Sequence, residues 1–298
     1  MSRFVERLGR EIEASGISPL RRHIIETLDL TPEQYLERYG EQIKDRLIHL
    51  RQRGERKITV AIPAANEEDS ILRCLKGVAE QFLPLFYGAD ILVVSQSEDR
   101  TTSLARQVGA IVIEDEKKGQ GRARKLGFEH KENELIFFID ADAIPVRTWL
   151  TSMIVFHQEH PNLAAIYGPS IFYRGDQLLY TYNVLGELSK WARGHYCGRN
   201  SVYTSAVREL VLEEGRDLIA EDGRLYKALK KRGLAQGWNM SPEATVLTTP
   251  RGIEKEGVFK AGARRAAHLF LGYEGGVARR YRPDLDPNDP EWTYIKRG

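Results

Sequence analysis

Two cysteines, Cys74 and Cys197, are too few for a disulfide framework or a cysteine-built zinc site. The chain also lacks any apolar run of the length that spans a bilayer. Its first residues, Met1-Ser2-Arg3-Phe4-Val5-Glu6-Arg7, are charged and offer no apolar segment of the secretory type, so a cytoplasmic protein is expected. No Gly-x-Gly-x-x-Gly follows the first expected strand, and no Walker A sequence exists. A nicotinamide dehydrogenase and a P-loop nucleotidase are therefore poorly supported. The 7 histidines show no metal-ligand spacing. A formal net charge of +2 argues neither for nor against an anionic partner, and no nucleic-acid partner is expected.

What is present is the composition of a globular protein. With 298 residues, 42% of them apolar and 29% charged, the chain can build one large core and carry appendages. Residues 1–56 read as a charged helical extension in which Leu8, Ile12, Ile24, Ile25 and Leu28 recur at helical spacing. Thr31-Pro32-Glu33-Gln34 reads as an N-cap, a proline at the first position and an acid after it, opening a helix through Leu47 and Leu50.

At Lys57 the texture changes. Ile58–Pro63 is an expected strand, and Asn66-Glu67-Glu68-Asp69 opens a helix with Ile71, Leu72, Leu75 and Val78 on one face. Cys74 sits in that apolar pattern and reads as core. Ile91–Val94 and Ala110–Ile113 are further strands, the first followed by the polar loop Ser95–Arg100 and a helix from Thr101. A basic, glycine-bearing segment, Lys117–Lys125, leads into another helix. Strands alternating with helices give a mostly parallel sheet whose polar loops gather on one edge.

Leu135-Ile136-Phe137-Phe138-Ile139 is apolar without alternation, as a strand buried on both faces must be. It stops at Asp140-Ala141-Asp142, two carboxylates that cannot remain unpaired in a core. Such a pair can hold a hard divalent cation, and most such pairs only turn a strand into a solvated loop. Beyond it, helices are expected over Trp149–His157 and Leu178–Trp191. Strands are expected at Ala164–Tyr167 and Ala244–Thr248, with a strand or tight segment at Gly198–Val202 before a helix at Ser205. Glu221-Asp222 opens a helix through Leu225 and Leu229 that Gly233 closes.

This order of motifs resembles a GT-A fold glycosyltransferase, most like the family 2 inverting enzymes, over roughly residues 57–260. Val60–Glu68 is similar to the family's opening strand and its Ile-Pro-x-x-Asn-Glu-Glu turn. Ser97-Glu98-Asp99-Arg100-Thr101 is similar to its Ser-x-Asp-x-Thr loop, and Lys118–Gly127 to its Gly…Ala-Arg-Asn-x-Gly segment. Asp140-Ala141-Asp142 falls at the metal-binding Asp-x-Asp, Ala220-Glu221-Asp222 at the x-Glu-Asp motif, and Arg251 at a late arginine. One departure stands out: where members carry an aspartate for the nucleobase, this chain has Ser95-Gln96, in a loop one residue shorter. The Gln-x-x-Arg-Trp of processive synthases is absent.

The resemblance implies a mixed, mainly parallel α/β sheet flanked by helices, with a helical extension over 1–56, the transferase domain over 57–260 and a C-terminal helix and basic tail over 261–298. It implies a UDP- or GDP-linked sugar donor and a magnesium or manganese ion. Asp142, with Asp140, would hold the metal; Pro63, Ala65, Asn66, Glu67, Ser95, Gln96, Lys118, Gly121, Arg124, Asp140, Ala141 and Asp142 would line the donor site. Asp222 would be the general base with Glu221 next to it, and Asn200, Trp238 and Arg251 would face the acceptor, whose identity is open. Trp191 and Trp238 suit sugar stacking but read first as packing residues, and His268 as a plain histidine. In Phe259–Leu271, Arg264-Arg265 beside Leu269-Phe270-Leu271 suits either peripheral membrane contact or a helix over the acceptor cleft. Competing readings are a sugar-phosphate nucleotidyltransferase, whose glycine-rich loop is missing, a non-catalytic nucleotide-sugar or glycan-binding module, and a two-carboxylate glycosidase.

Overall fold

The four residues from Thr31 start a helix for a local reason. The Thr31 hydroxyl accepts the Gln34 amide at 3.3 Å, and the Gln34 side chain accepts the Thr31 amide at 2.9 Å. Pro32 takes the first helical position, where no N–H is needed. Helix α2 (Pro32–Gln52) follows α1 (Ile17–Glu26) and buries Tyr35, Ile43, Leu47 and Leu50 along one face. These side chains share one core with Ile58, Leu75 and Ile91, so the two helices pack on the sheet. The computed structural model describes residues 17–116, 119–130, 132–174, 183–187, 198–214, 222–251, 253 and 257. Within the helix expected over Leu178–Trp191, only the helical stretch 183–187 lies among them.

The βαβ reading of the first half holds. Strands β1 (Arg56–Ala64), β2 (Tyr87–Ser95), β3 (Ile111–Glu114) and β4 (Leu135–Ile139) run parallel in the order β3-β2-β1-β4. All nine residues of β2 and all five of β4 are buried, the mark of strands covered on both faces. Ile58 pairs with Leu135, so the two segments lie side by side in one sheet. The β4 ladder leaves β1 at Ala61, so Pro63 sits where β1 has β2 alone as a neighbour and its missing N–H breaks no ladder to β4. Helices α3 (Ile71–Ala79), α4 (Thr101–Gln107) and α5 (Gln120–His130) supply the cover.

Past β4 the pattern becomes mixed. Strand β5 (Ala143–Pro145) follows at once, then α6 (Trp149–Glu159), β6 (Leu163–Tyr167), β7 (Ser170–Phe172), β8 (Asn200–Thr204), α7 (Ser205–Glu214), α8 (Asp222–Lys231), β9 (Ala235–Trp238) and β10 (Val246–Thr248). The large sheet has seven strands, β3-β2-β1-β4-β8-β6-β9, with β8 antiparallel to both neighbours and β9 parallel to β6. A second sheet, β5-β10-β7, pairs Thr248 with Ala143 and with Phe172.

Two local readings shift. The helix expected from Asn66 begins at Ile71, because the neighbouring loop takes the intervening backbone amides and Asn66 adopts a left-handed φ of 55°. The strand expected from Ala244 begins at Val246, because Ser241 caps a short 3₁₀ turn over Pro242–Ala244. Strands β5, β7 and β9 have three or four residues each, too few for a periodic signal.

Candidate functional site

The carboxyl ends of β1 and β2 lead into two loops that bond each other. The Asn66 amide donates to the Ser97 hydroxyl at 2.9 Å, and the Asn66 side chain accepts the Glu98 amide at 2.9 Å. The Glu67 amide donates to the Thr101 hydroxyl at 2.8 Å and the Glu68 amide to Asp99 Oδ2 at 3.1 Å. Asp99 Oδ1 accepts both the amide and the hydroxyl of Thr101, at 2.9 and 2.5 Å. Asp99 is thus spent on joining loops.

Ser95 and Gln96, which the sequence offers to a nucleobase, also bond inward. Ser95 Oγ lies 2.7 Å from Thr102 Oγ1. The Gln96 amide group donates to Asp115 Oδ2 at 3.2 Å and accepts the Gly119 amide at 2.9 Å. Asp115 in turn accepts Arg122 Nε at 2.5 Å. Asp115 sits just after β3 as Asp140 sits just after β4; the same strand-then-acid signal would have found it.

The Asp140–Asp142 turn is set by its neighbours. The Asp140 carbonyl accepts the Ala143 amide at 2.9 Å, which swings the chain from β4 into β5. The register Thr248↔Ala143 then carries the chain after β10 back to the turn. Arg251 Nη2 consequently donates to Asp142 Oδ2 at 3.0 Å and to both Glu67 oxygens at 2.8 Å. Arg199, just ahead of β8, places Nε 3.9 Å from Asp140 Oδ2. No sequence signal marks Arg199.

This cluster is electrostatically tight. Burial pushes the Glu67 carboxyl above the usual range; Arg251 and the Ser70 hydroxyl oppose that, and the Asp142 charge adds to it. Burial would lower the Arg251 guanidinium, but Glu67 and then Asp142 outweigh it and hold the group more firmly protonated than usual. Cys74, buried beneath with its sulfur 3.7 Å from the Asp140 carbonyl, is pushed well up, by burial first and then by Asp142, Asp140 and Glu67. It stays a neutral core thiol, as its apolar surroundings in the sequence imply.

The other expected site residues divide. Ala65 and Asn66 are exposed at the loop after β1, Pro63 is half-buried there, and Ala141 is buried inside the turn. Gly121 and Arg124 are buried in α5, and a Cβ on Gly198 would lie 2.4 Å from the Arg124 guanidinium, so Arg124 packs beneath that residue. Asn200 does not face a cleft. It is 0% exposed, accepts Trp149 Nε1 at 2.8 Å and donates to the Pro169 and Ala244 carbonyls at 2.8 Å each. Those three bonds tie β8 to α6, to the loop before β7 and to the 3₁₀ turn. Trp238 ends β9, half-buried, its ring 6.1 Å from that of Tyr167. Arg251, expected beside the acceptor, is bonded to the Asp-x-Asp turn.

Helix α8 begins with the backbone of Asp222. Gln236 Nε2 donates to the Tyr226 carbonyl at 3.3 Å, and three residues join Lys231 to β9, so α8 lies antiparallel to β9. Strand β9 points the same way as β4, which puts the first residue of α8 toward the edge that holds Asp140 and Asp142. Lys118, Trp191, Glu221, His268 and Phe259–Leu271 lie outside the described residues.

The pair Asp140 and Asp142 suits a hard cation: two carboxylates 25% and 21% exposed at a strand's carboxyl end. Among the described residues no group of three or more His, Cys, Asp and Glu side chains gathers to hold a metal, so two protein carboxylates are what the turn offers.

Residues 59–202 match the sequence model of the family described as glycosyl transferase family 2. Glycosyltransferase AglE of Haloferax volcanii is 34% identical over 99 residues, 31% of this chain and 33% of that protein. The low-salt glycan biosynthesis hexosyltransferase Agl6 of the same organism is 35% identical over 85 residues, 28% of this chain and 21% of that one. The matches thus span a third or less of these relatives. Among solved structures, glucosyl-3-phosphoglycerate synthase from Mycobacterium tuberculosis, in complex with Mn²⁺, UDP-glucose and phosphoglyceric acid, superposes with a TM-score of 0.48 at 17% identity, covering 78% of this chain and 83% of that one. S. aureus TarS in complex with UDP gives 0.47 at 18%, covering 65% and 60%.

Proposed function

Residues 59–202 belong to glycosyl transferase family 2, and from that premise we propose that the protein moves a sugar from a UDP- or GDP-linked donor to an acceptor hydroxyl, with inversion. One observation carries the reading: Glu67, Asp142 and Arg251 meet at the carboxyl edge of the parallel strands, beside Asp140. Ligands of α/β sheets bind at that edge. A magnesium or manganese ion held by Asp142, with Asp140 directly or through water, supplies Lewis-acid neutralisation of the leaving diphosphate when bound.

The chain's own groups do the rest. The interlocked loops after β1 and β2 fix the floor on which the nucleotide lies. Arg251, already charged and aimed at Asp142, turns an N–H toward a diphosphate oxygen. Asp222, at a helix start where the dipole favours the ionised form, takes the proton from the acceptor hydroxyl onto a carboxylate oxygen. The acceptor oxygen bonds to the anomeric carbon as the bond from that carbon to the diphosphate breaks on the opposite face. Glu221 is the second choice for that proton.

The test is thermal stabilisation by UDP and by GDP, with and without Mn²⁺, for wild type and Asp142→Asn. Wild type gains stability from one of the nucleotides with Mn²⁺, and Asp142→Asn loses most of that gain while its ligand-free midpoint is unchanged. A variant that binds nucleotide and Mn²⁺ as tightly as wild type removes Asp142 from the site.

A further inference from the structure

The loop between α3 and β2, Glu80-Gln81-Phe82-Leu83-Pro84-Leu85-Phe86, turns large apolar side chains to solvent. Phe82 is 61% exposed, Leu85 78% and Phe86 76%. Single exposed apolar residues need no explanation, but three within five positions form a patch. The loop is firmly held. The Phe82 amide donates to the Arg147 carbonyl at 2.9 Å, Arg56 to the Phe86 carbonyl at 3.0 Å, and the Thr151 hydroxyl to the Phe82 carbonyl at 2.6 Å. The buried Gln81 side chain donates to the Gly77 and Val146 carbonyls at 2.9 and 2.8 Å and accepts the Leu150 amide at 3.0 Å. Leu83, 5% exposed, takes the inward position. The backbone therefore presents Phe82, Leu85 and Phe86 outward as a fixed, projecting tip.

Arginines flank Phe82. Arg147 lies over its ring at 5.9 Å, and Arg46 of α2 and Arg53 just past that helix line a cavity beside it. Among the described residues no carboxylate pairs with the Arg46 or Arg53 side chain, whereas Arg147 is 3.8 Å from Glu80 and Arg56 is paired with Glu134. Between α2 and the loop lies a cavity of about 260 Å³ lined by Arg46, His49, Arg53, Leu50, Phe82 and Leu83. Its lining joins the arginines Arg46 and Arg53 to the apolar Leu50, Phe82 and Leu83.

We infer that this face docks on an anionic lipid bilayer. Phe82, Leu85 and Phe86 enter the boundary between headgroups and acyl chains, and Arg46 and Arg53 take a lipid phosphate at the cavity mouth. Charge complementarity selects this occupant. A second copy of the chain would set one pair of arginines against another, and a projecting tip enters a soft interface more readily than it fits a flat protein face. The inference stands on this surface alone and does not depend on the reaction at Asp142. The loop leads into the first residue of β2, so the docked face lies at the amino edge of the parallel strands, opposite the carboxyl edge that holds Asp142.

The test is sedimentation of the intact chain with phosphatidylcholine vesicles, with and without phosphatidylglycerol, at low and high salt. Wild type binds the phosphatidylglycerol vesicles, and salt weakens the binding. Combining Phe82→Ser, Leu85→Ser and Phe86→Ser weakens it on the order of a hundredfold, and Arg46→Gln with Arg53→Gln about tenfold. Both variants keep the wild-type thermal midpoint, since the altered side chains are not core. Failure of wild type to bind overturns the inference, as does undiminished binding by the triple variant. Self-association without vesicle binding, abolished by the triple variant, assigns the patch to a second copy and overturns it too.

Discussion

The loops after β2 and β4 carry Asp99 and Asp142, and these two aspartates are used in opposite ways. Asp99, after β2, accepts three donors from Glu68 and Thr101, which join the loop after β1 to the start of α4. Asp142, after β4, has among the described residues one side-chain partner, Arg251, which lies 109 residues away and also holds Glu67. A carboxylate with both oxygens engaged by backbone and hydroxyl donors is a structural brace. One balanced by a single shared arginine can exchange that arginine for a cation or a phosphate-bound metal. The acid that looks most like a motif is thus the exchangeable one, and the acid in the Ser-x-Asp-x-Thr loop serves the fold.

The comparison extends to a third acid, Asp222, and there the largest effect is expected. Asp222→Asn lowers transfer, or donor hydrolysis while the acceptor is unidentified, by about a hundred- to ten-thousand-fold and leaves donor affinity nearly unchanged. Retained turnover moves the base to Glu221 or elsewhere, and lost nucleotide binding moves Asp222 into the donor site. Next in size is a stability contrast. Asp99→Ala, which strips three hydrogen bonds to a charged acceptor, costs about 3 kcal/mol in denaturant unfolding, whereas Asp142→Ala costs under about 1 kcal/mol. Equal losses at the two positions would erase the distinction drawn between them. The smallest effect concerns Glu67. Its raised carboxyl makes the folded state hold a proton more tightly than the unfolded chain. That contribution is complete below the ordinary glutamate range and is lost as pH rises through the raised value. From about pH 4 toward neutrality, wild type should lose thermal stability relative to Glu67→Gln, which has no such proton. A difference that stays flat with pH contradicts the electrostatic description of the cluster.

The half of the chain read most fully is the half built from local signals. The Thr31–Gln34 capping box, the unbroken apolar runs of β2 and β4 and the acid that ends β4 all act within a few residues, and each appears where the sequence puts it. Strands of three or four residues, β5, β7 and β9, have no room for periodicity and exist because a neighbour offers them a ladder. Asn200 shows the same limit at one residue. Asparagine at the start of a strand signals a polar position, but its three partners come from α6, the loop before β7 and the 3₁₀ turn, so only packing makes it a core tie.

By itself the sequence determined the parallel βαβ half, the helices ahead of it, and the placing of Asp140 and Asp142 at the end of a buried strand. Hydrophobic burial and capping act over short range, and a carboxylate cannot follow an apolar run inward. Only the tertiary structure decided which cation meets Asp142, that Asp99 and Gln96 are committed inward, and that Phe82, Leu85 and Phe86 face out while Leu83 faces in. Each of those depends on strand register and on contacts between segments far apart in the chain: the pairing of Thr248 with Ala143 brings Arg251 to Asp142.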